Sequence, residues 1–301
     1  MTEPGSPRAD PFPGLFPSAL ALTSDPFPGP VYHYTDQRGF LGILADKTIW
    51  ATDLRYLNDT REYSLGFDRI LHELRSRWTE GSPLAGLLSD TFQQLRAEAV
   101  VGLSVASFSL IEDDLSQWRA YGGGSGGFCV GFEPGELEIR IRRTGSTFGA
   151  VRYLDSEQGP IVRRLCDEII SDAESVVAGI ASVRSFETRC SLSVQLTCAL
   201  LKDEKFAAER EWRMIVWSSL PPAVVAKMRA GRSTLVPYVE VHLDFRSSQA
   251  PDATPLRLPF AKIWVGPTPH QNLALRATLL ALQQTGEGAE VLPSAVSFRN
   301  W

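Results

Sequence analysis

The predicted fold is organised around the segment Glu209-Arg210-Glu211-Trp212-Arg213-Met214-Ile215-Val216-Trp217. We interpret it as a β-strand, in which successive side chains point to opposite faces. Glu209, Glu211 and Arg213 then share one face, and the large apolar residues take the other. Two carboxylates so close together are costly to desolvate unless donors surround them. The segment is therefore either a charged strand held inside a pocket or an exposed edge strand with a solvated charge pair.

The pattern around this strand predicts a mixture of strands and helices. Predicted strands cover residues 31–35, 48–52, 100–110, 128–132, 137–142, 150–154, 236–243, 263–265 and 291–298, and predicted helices cover 36–46, 60–78, 84–97, 114–121 and 272–284. Residues 156–203 predict a helical insertion, and the Pro-rich residues 1–30 predict an extended N-terminal segment. Strands and helices do not alternate strictly, so we predict an α+β fold with one domain over residues 31–301 and a mixed sheet.

The amino-acid composition excludes some classes of protein. The 301 residues are 44% hydrophobic and 22% charged, which excludes a largely disordered chain. The formal net charge of −5 argues against a strongly basic nucleic-acid binder. No apolar run predicts a membrane span. Four scattered cysteines and four scattered histidines predict a cytoplasmic protein with buried thiols and no metal site.

A glycine run matches two well-known motifs by letters alone. Gly122-x-Gly124-x-x-Gly127 fits the dinucleotide fingerprint, and Gly123-x-Ser125-x-Gly127 fits the nucleophile elbow. Both motifs need a strand before the glycines and a helix after them. The predicted order here is helix, glycines, strand. We therefore interpret the run as a flexible turn.

Two further segments supply candidate site residues. His33 and Thr35 share a face of the first predicted strand, although a lone His there is also typical of a semi-buried structural residue. Ser107 and Ser109 share a face of a later strand. Trp118 and Tyr121, three residues apart on a short helix, suit the stacking of a flat heterocycle, while Trp118 taken alone is more typical of a core.

These segments carry a family resemblance. The ordered motifs are His33-Tyr34-Thr35, Ile49 to Asp53, Asn58 to Glu62, Ser107 to Ser109, Trp118-x-x-Tyr121, Val130 to Phe132, Glu209-x-Glu211-Trp212-Arg213 and Val265 to Pro267. This set resembles a bacterial family known as domain of unknown function 2971, over residues from about 31 to the C-terminus. That family is similar, more weakly, to the ADP-ribosyltransferase fold.

The second resemblance implies a site for NAD as substrate, without a metal. It implies that Glu211 is the catalytic carboxylate with Glu209 as its partner, or the reverse. His33 and Thr35 would hold a ribose or the nicotinamide amide, and the nicotinamide would stack on Tyr121 or Tyr34. The remaining residues that it implies for NAD binding are Ser107, Ser109, Trp118 and Arg213.

The sequence thus predicts an NAD-dependent mono-ADP-ribosyltransferase. By resemblance to bacterial toxin and anti-phage enzymes, its acceptor would be RNA, DNA or protein, with an antitoxin or regulatory partner. An NAD glycohydrolase and a non-catalytic nucleotide-binding module are the alternatives. An arginine group between residues 140 and 164 is either a patch that steers phosphate or, more in keeping with its acidic neighbours, a solvated face.

Overall fold

The computed structural model describes residues 14–57, 62–97, 102–123, 126–217, 225–231, 233–244 and 257–297. Within these residues the fold is α+β, with a single mixed sheet of ten strands. The strands are β1 (Val31–Thr35), β2 (Thr48–Asp53), β3 (Leu103–Ser109), β4 (Phe128–Phe132), β5 (Thr147–Ala150), β6 (Glu211–Trp217), β7 (Lys227–Ala230), β8 (Leu235–His242), β9 (Phe260–Val265) and β10 (Glu290–Pro293). Among the strands that the structure describes, β9 and β10 are the one parallel pair, and the other pairs are antiparallel.

The helices lie on both sides of this sheet. They are α1 (Pro17–Ala21), α2 (Gln37–Asp46), α3 (Glu62–Arg75), α4 (Pro83–Ala97), α5 (Leu115–Tyr121), α6 (Pro134–Arg143), α7 (Asp155–Val177), α8 (Val183–Leu200) and α9 (Gln271–Thr285). Short 3₁₀ helices cover Leu54–Tyr56 and Glu204–Glu209. Local sequence sets several ends: the Asp36 side chain caps α2, and the Asp114 side chain caps α5.

The two edges of β3 have different strand partners. One edge of β3 pairs with β6 over its whole length. On the other edge, β1 pairs with Ser109, and β2 pairs with Ser104 and Val105. Residues 106–108 of β3 therefore have no strand partner on that edge within the described part of the chain. We call this opening between β1 and β2 the split.

Alternation along β3 and β6 gives the sheet two different faces. The first face carries Phe108 and Met214 and packs against α2, α6 and α9 in the largest apolar core. The second face carries Val105 and Ile215, which pack with residues of α8 and α1. Burial of these apolar side chains is the main favourable contribution to the fold.

Two smaller cores complete the second face. A helical core joins α3, α4, α7 and α8. An aromatic core lies over β1, β4 and β9 and contains Tyr34, Trp118, Cys129 and Trp264. The region of residues 156–203, predicted as an insertion, supplies α7 and α8, and α8 covers the second face of the sheet directly.

Three sequence-based predictions of secondary structure are wrong. Residues 137–142 lie in the helix α6, because Pro134 stands in its first turn and Leu137 and Ile141, four residues apart, are both buried. The strand predicted at 150–154 is instead β5, which ends at Ala150. The described part of the N-terminal segment contains α1, although this part was predicted to be extended, and the Phe16 backbone N–H bonds to Ser193 Oγ at 2.8 Å.

The glycine run has the predicted order, because α5 precedes it and β4 follows it. Gly123 and Gly126 have φ of 66° and 73°, which side chains rarely adopt. Gly124 and Ser125 lie outside the described residues, as does the helix cap predicted at Asp59.

Candidate active site

A buried ion pair stands at the start of β6. Arg213 Nε donates to Glu211 Oε1 at 2.8 Å, and Arg213 Nη2 donates to Glu211 Oε2 at 3.0 Å. Both residues are buried on the second face of the sheet, opposite Ser109 and Ser107 of β3. Arg213 Nη1 also donates to the Ala199 carbonyl of α8 at 2.7 Å, which fixes the guanidinium between sheet and helix. The alternative of an exposed edge strand is therefore wrong.

A second cation joins this pair and links it to Glu209. Lys202 Nζ donates to Glu211 Oε2 at 3.0 Å and to Glu209 Oε2 at 2.6 Å. Glu209 itself is not in the strand: it ends a 3₁₀ helix, and Arg210 turns the chain with φ of 44°. Glu209 nevertheless lies beside Glu211, because Lys202 bridges the two carboxylates. We call Lys202, Glu209, Glu211 and Arg213 the charge cluster.

Glu211 stays ionised inside the protein. Burial alone would raise the pKa of its carboxyl group, but the charges of Arg213 and Lys202 and hydrogen bonds from Arg213 and Ser107 lower that pKa to about 2. A buried network of this kind is expensive to build, and such networks concentrate at functional sites. Glu211 is therefore a fixed negative charge at neutral pH.

Two tyrosines border the charge cluster. Burial and the charges of Glu211 and Glu209 raise the pKa of Tyr121 to about 12, which places this half-buried ring close to both carboxylates. The Tyr153 hydroxyl accepts a hydrogen bond from the Glu211 backbone N–H at 2.9 Å. Tyr121 ends α5, and the charges of both carboxylates act on its phenol group. The stacking of its ring on nicotinamide stays a prediction.

His33 reaches the split from β1. Its Nδ1 lies 2.9 Å from the Ser107 carbonyl oxygen, which has no strand partner on that edge. A carbonyl only accepts, so Nδ1 carries the hydrogen, and Nε2 of the neutral ring is left as an acceptor. Burial lowers the pKa of His33 below its usual value of 6.5, and the nearby charge of Arg229 lowers it further. His33 is therefore neutral at pH 7.

The candidate residues are divided between the two faces of the sheet. His33 and Thr35 share the first face, where the His33 ring lies 5.6 Å from that of Phe108. Ser107 and Arg213 lie on the second face with Glu211. The split brings the two groups together, because there the His33 ring meets the main chain of Ser107.

The side chains of three candidate residues are engaged in contacts within the protein. Trp118 is buried in the aromatic core and donates from Nε1 to Asp113 at 2.9 Å. The Tyr34 ring packs edge-on against Trp118, and its hydroxyl donates to the Ile111 carbonyl and accepts from the Asp114 N–H. The Ser109 hydroxyl donates to the Glu209 carbonyl and accepts from the Ile111 N–H. Of the two tyrosines that could stack on a ligand, Tyr121 has the more accessible ring.

The site also contains three residues that were not predicted from the sequence: Lys202, Tyr153 and Arg229. Each comes from a segment without a recognisable motif, and each reaches the site only through tertiary contacts. One signal was available for Lys202, since two adjacent carboxylates require a buried donor.

Three arginines of the group between residues 140 and 164 are engaged in contacts within the protein. Arg140 is buried and bonds to the Leu243 carbonyl, Arg142 pairs with Glu138, and Arg152 pairs with Asp25. A surface groove of about 520 Å³ lies elsewhere, between α3 and α7, and includes His72 and Arg163. It does not include the charge cluster, whose chemistry is the stronger indication of function.

The described residues also bear on metal sites and membrane spans. No group of three or more His, Cys, Asp or Glu side chains there is arranged to hold a metal ion. None of the helices there is both long enough and apolar enough to cross a membrane.

Comparison with known proteins concerns the middle of the chain. Residues 117–214 match the model of a family described as "Protein of unknown function (DUF2971)". The predicted family is confirmed over these residues. The DUF2971 match runs from α5 to β6 and includes Tyr121 and the whole charge cluster, whereas His33 and Ser107 lie before it. No curated protein and no solved structure matches the chain, so the similarity to ADP-ribosyltransferases stays a prediction.

Proposed function

We propose that this protein is an NAD-dependent mono-ADP-ribosyltransferase. The observation that carries the proposal is the buried Glu211, ionised at neutral pH, on β6, which β3 separates from the split. Transfer of ADP-ribose passes through a ribose with positive charge at C1′ and the ring oxygen. A fixed carboxylate stabilises that charge in the transition state more than in the ground state.

The proposed step breaks the bond between ribose C1′ and the nicotinamide nitrogen. The electron pair of this bond goes to nicotinamide, which leaves as a neutral molecule. A nucleophile on the acceptor then bonds to C1′ and loses its proton to solvent. Glu211 accepts a hydrogen bond from a ribose hydroxyl, since its low pKa makes it a poor base but a constant anion.

Other residues position the substrate in this proposal. The Tyr121 ring lies near both carboxylates and offers a stacking surface for nicotinamide. Neutral His33 offers Nε2 to a second ribose hydroxyl. Lys202 and Arg213 hold the Glu211 carboxylate in one orientation. Positioning of this kind contributes to catalysis because it removes the entropy cost of aligning the reacting groups.

The test is nicotinamide release from NAD by the purified full chain, together with transfer of label from adenylate-labelled NAD to RNA, DNA and proteins supplied separately. We expect release and transfer to one acceptor class. Glu211→Gln should lower both at least ~100-fold. Glu174→Gln, which changes an exposed carboxylate on α7, is the matched control and should retain activity.

Tyr121 separates a catalytic effect from a folding defect. Tyr121→Phe keeps the ring and should retain most activity, whereas Tyr121→Ala should lose it while its circular dichroism spectrum stays native. Nicotinamide release without label transfer would indicate an NAD glycohydrolase. Absence of release by the folded wild-type protein, with every acceptor, would contradict both enzymes and leave a nucleotide-binding module.

A further inference from the structure

The second wall of the split contains an arginine that the proposed reaction does not use. The split is bordered by β1, which carries His33 and Thr35, and by β2, which carries Trp50 and Thr52. Arg229 comes from β7, two strands beyond β2 in the sheet. Its Nη2 donates to Thr52 Oγ1 at 2.8 Å, and its guanidinium lies 5.8 Å from the centre of the Trp50 ring.

These contacts hold the guanidinium at the split. Thr52 pairs with Val105 of β3, immediately before the unpaired residues 106–108. The Trp50 ring is supported from behind by Tyr238, at 4.6 Å between ring centres. Burial lowers the pKa of His33 on β1, and the positive charge of Arg229 lowers it further.

Arg229 is half-buried, and no carboxylate pairs with it among the described residues. Tyr238 and Asp36 raise the pKa of the guanidinium, and the charge of Arg38 lowers it. Asp36 Oδ1 is already used to cap α2 through the Gly39 N–H. A partly desolvated guanidinium with one hydroxyl partner has donors to spare, and desolvation lowers its pKa. An anion would therefore bind there favourably.

We propose that Arg229 binds the diphosphate of a nucleoside diphosphate ligand at the mouth of the split. A guanidinium presents several N–H donors in a plane that matches phosphate oxygens. The proposal rests on the proposed function, because it assigns the diphosphate to NAD. The register of Thr52 lies four residues along β3 from that of Glu211, about 13 Å, and β2 and β6 are two strand spacings apart, about 10 Å. A single extended dinucleotide can bridge this separation.

The test is calorimetric titration of the full chain with ADP-ribose, ADP and adenosine, which needs no turnover. For the wild type, we expect ADP-ribose and ADP to bind more tightly than adenosine. Arg229→Gln should weaken the binding of ADP and ADP-ribose at least ~10-fold and leave that of adenosine unchanged. Arg229→Lys, which keeps the charge but loses the planar fork, should fall between.

Lys227→Gln is the matched control on the same strand. Lys227 is exposed and pairs with Glu240, so its loss should not change ADP binding. Equal weakening by both variants would overturn a specific site and indicate general attraction of anions. Binding of a short single-stranded oligonucleotide without any binding of ADP would also overturn the proposal and indicate nucleic-acid phosphates.

The two proposals can fail separately. ADP binding that depends on Arg229 in a protein that never cleaves NAD would contradict the transferase and support this site. NAD cleavage with the same KM in the wild type and in Arg229→Gln would support the transferase and contradict this site. Two controls test whether weaker ADP binding comes from unfolding. In that case the variants would lose their native circular dichroism spectrum and their adenosine binding.

Discussion

Glu211 is buried, yet it stays ionised because two cations and a hydroxyl compensate its charge. Its pKa of about 2 in the folded protein compares with 4.5 for an ordinary glutamate. A carboxyl group whose pKa is lowered on folding stabilises the folded state above its unfolded pKa. That stabilisation disappears as the pH falls from about 4.5 toward 2, and amounts to on the order of 3 kcal/mol.

We therefore predict that Glu211→Gln lowers the free energy of unfolding most at neutral pH. The Gln variant leaves Arg213 and Lys202 without one carboxylate, which should cost roughly 3–5 kcal/mol at pH 7. As the pH falls from about 4.5 toward 2 the difference from wild type should shrink, because the unfolded wild type takes up a proton at Glu211 that the folded protein binds only near pH 2. Urea unfolding of both proteins across this pH range measures the difference in their free energies of unfolding. A difference that is the same at every pH would contradict the stabilising role of the ionised Glu211.

The contact between α3 and α8 gives a prediction at the scale of single elements. A Cβ atom at Gly66 would lie 2.9 Å from Cys198 Cα and 3.1 Å from Cys198 Sγ, closer than packed atoms allow. Gly66→Ala should therefore destabilise the protein by about 1–3 kcal/mol, although Ala favours a helix. Gly86 of α4 has nothing within 4 Å of the same position, so Gly86→Ala should stabilise by about 0.5–1 kcal/mol. Urea denaturation gives the free energy of unfolding of both variants. Equal changes would show that close packing at Gly66 is not the cause of its effect.

The segment that follows β10 is bonded to the Asp113 side chain, just before α5. Asp113, with φ of 50°, accepts hydrogen bonds from Trp118 Nε1, Ser294 Oγ and the Ala295 N–H. Asp113→Asn keeps the size but removes acceptor capacity, so it should cost about 1–3 kcal/mol. Amide hydrogen exchange at Ala295 should accelerate, and the exposed Asp90→Asn in α4 should leave it unchanged. Slow exchange at Ala295 in Asp113→Asn would show that other contacts hold this segment.

Elements with strong local patterns could be predicted from the sequence, and the exceptions have physical reasons. The amphipathic α3 and the apolar β3 were predicted because their periodicity is long. In α6, Leu-Glu-Ile-Arg-Ile alternates like a strand, and only tertiary packing buries Leu137 and Arg140 together. β7 was missed because its four residues are mostly exposed and carry no apolar alternation.

The same distinction applies to the candidate site. The motif residues Glu211 and Arg213 were predicted to share a face, and they do, because strand geometry fixes this locally. The approach of Lys202 depends on where α8 ends. The position of Arg229 depends on a strand order that places β8 beside β2 and β7 beside β8. No local pattern contains this information.

At the scale of the whole molecule, α8 joins the helices to the sheet. Its residues Phe186, Cys190 and Val194 belong to the helical core, while Leu196 and Leu200 pack against β3 and β6. The carbonyl of Ala199 also holds Arg213, so the charge cluster depends on the same helix. Loss of the helical core should therefore remove both the support of the sheet and the geometry of the site.

The four cysteines test whether the two layers unfold together. Cys166, Cys190 and Cys198 lie in the helical core and Cys129 in the aromatic core, all buried, and burial raises the pKa of each thiol. Native protein should therefore react with none of its thiols over minutes. In pulse alkylation across a urea series, with mass spectrometry to identify each site, we expect all four to become reactive at one midpoint, because α8 couples the layers. Labelling of the three helical cysteines at lower urea than Cys129 would instead show that the helices form a separate unit, and that the charge cluster is lost before the sheet unfolds.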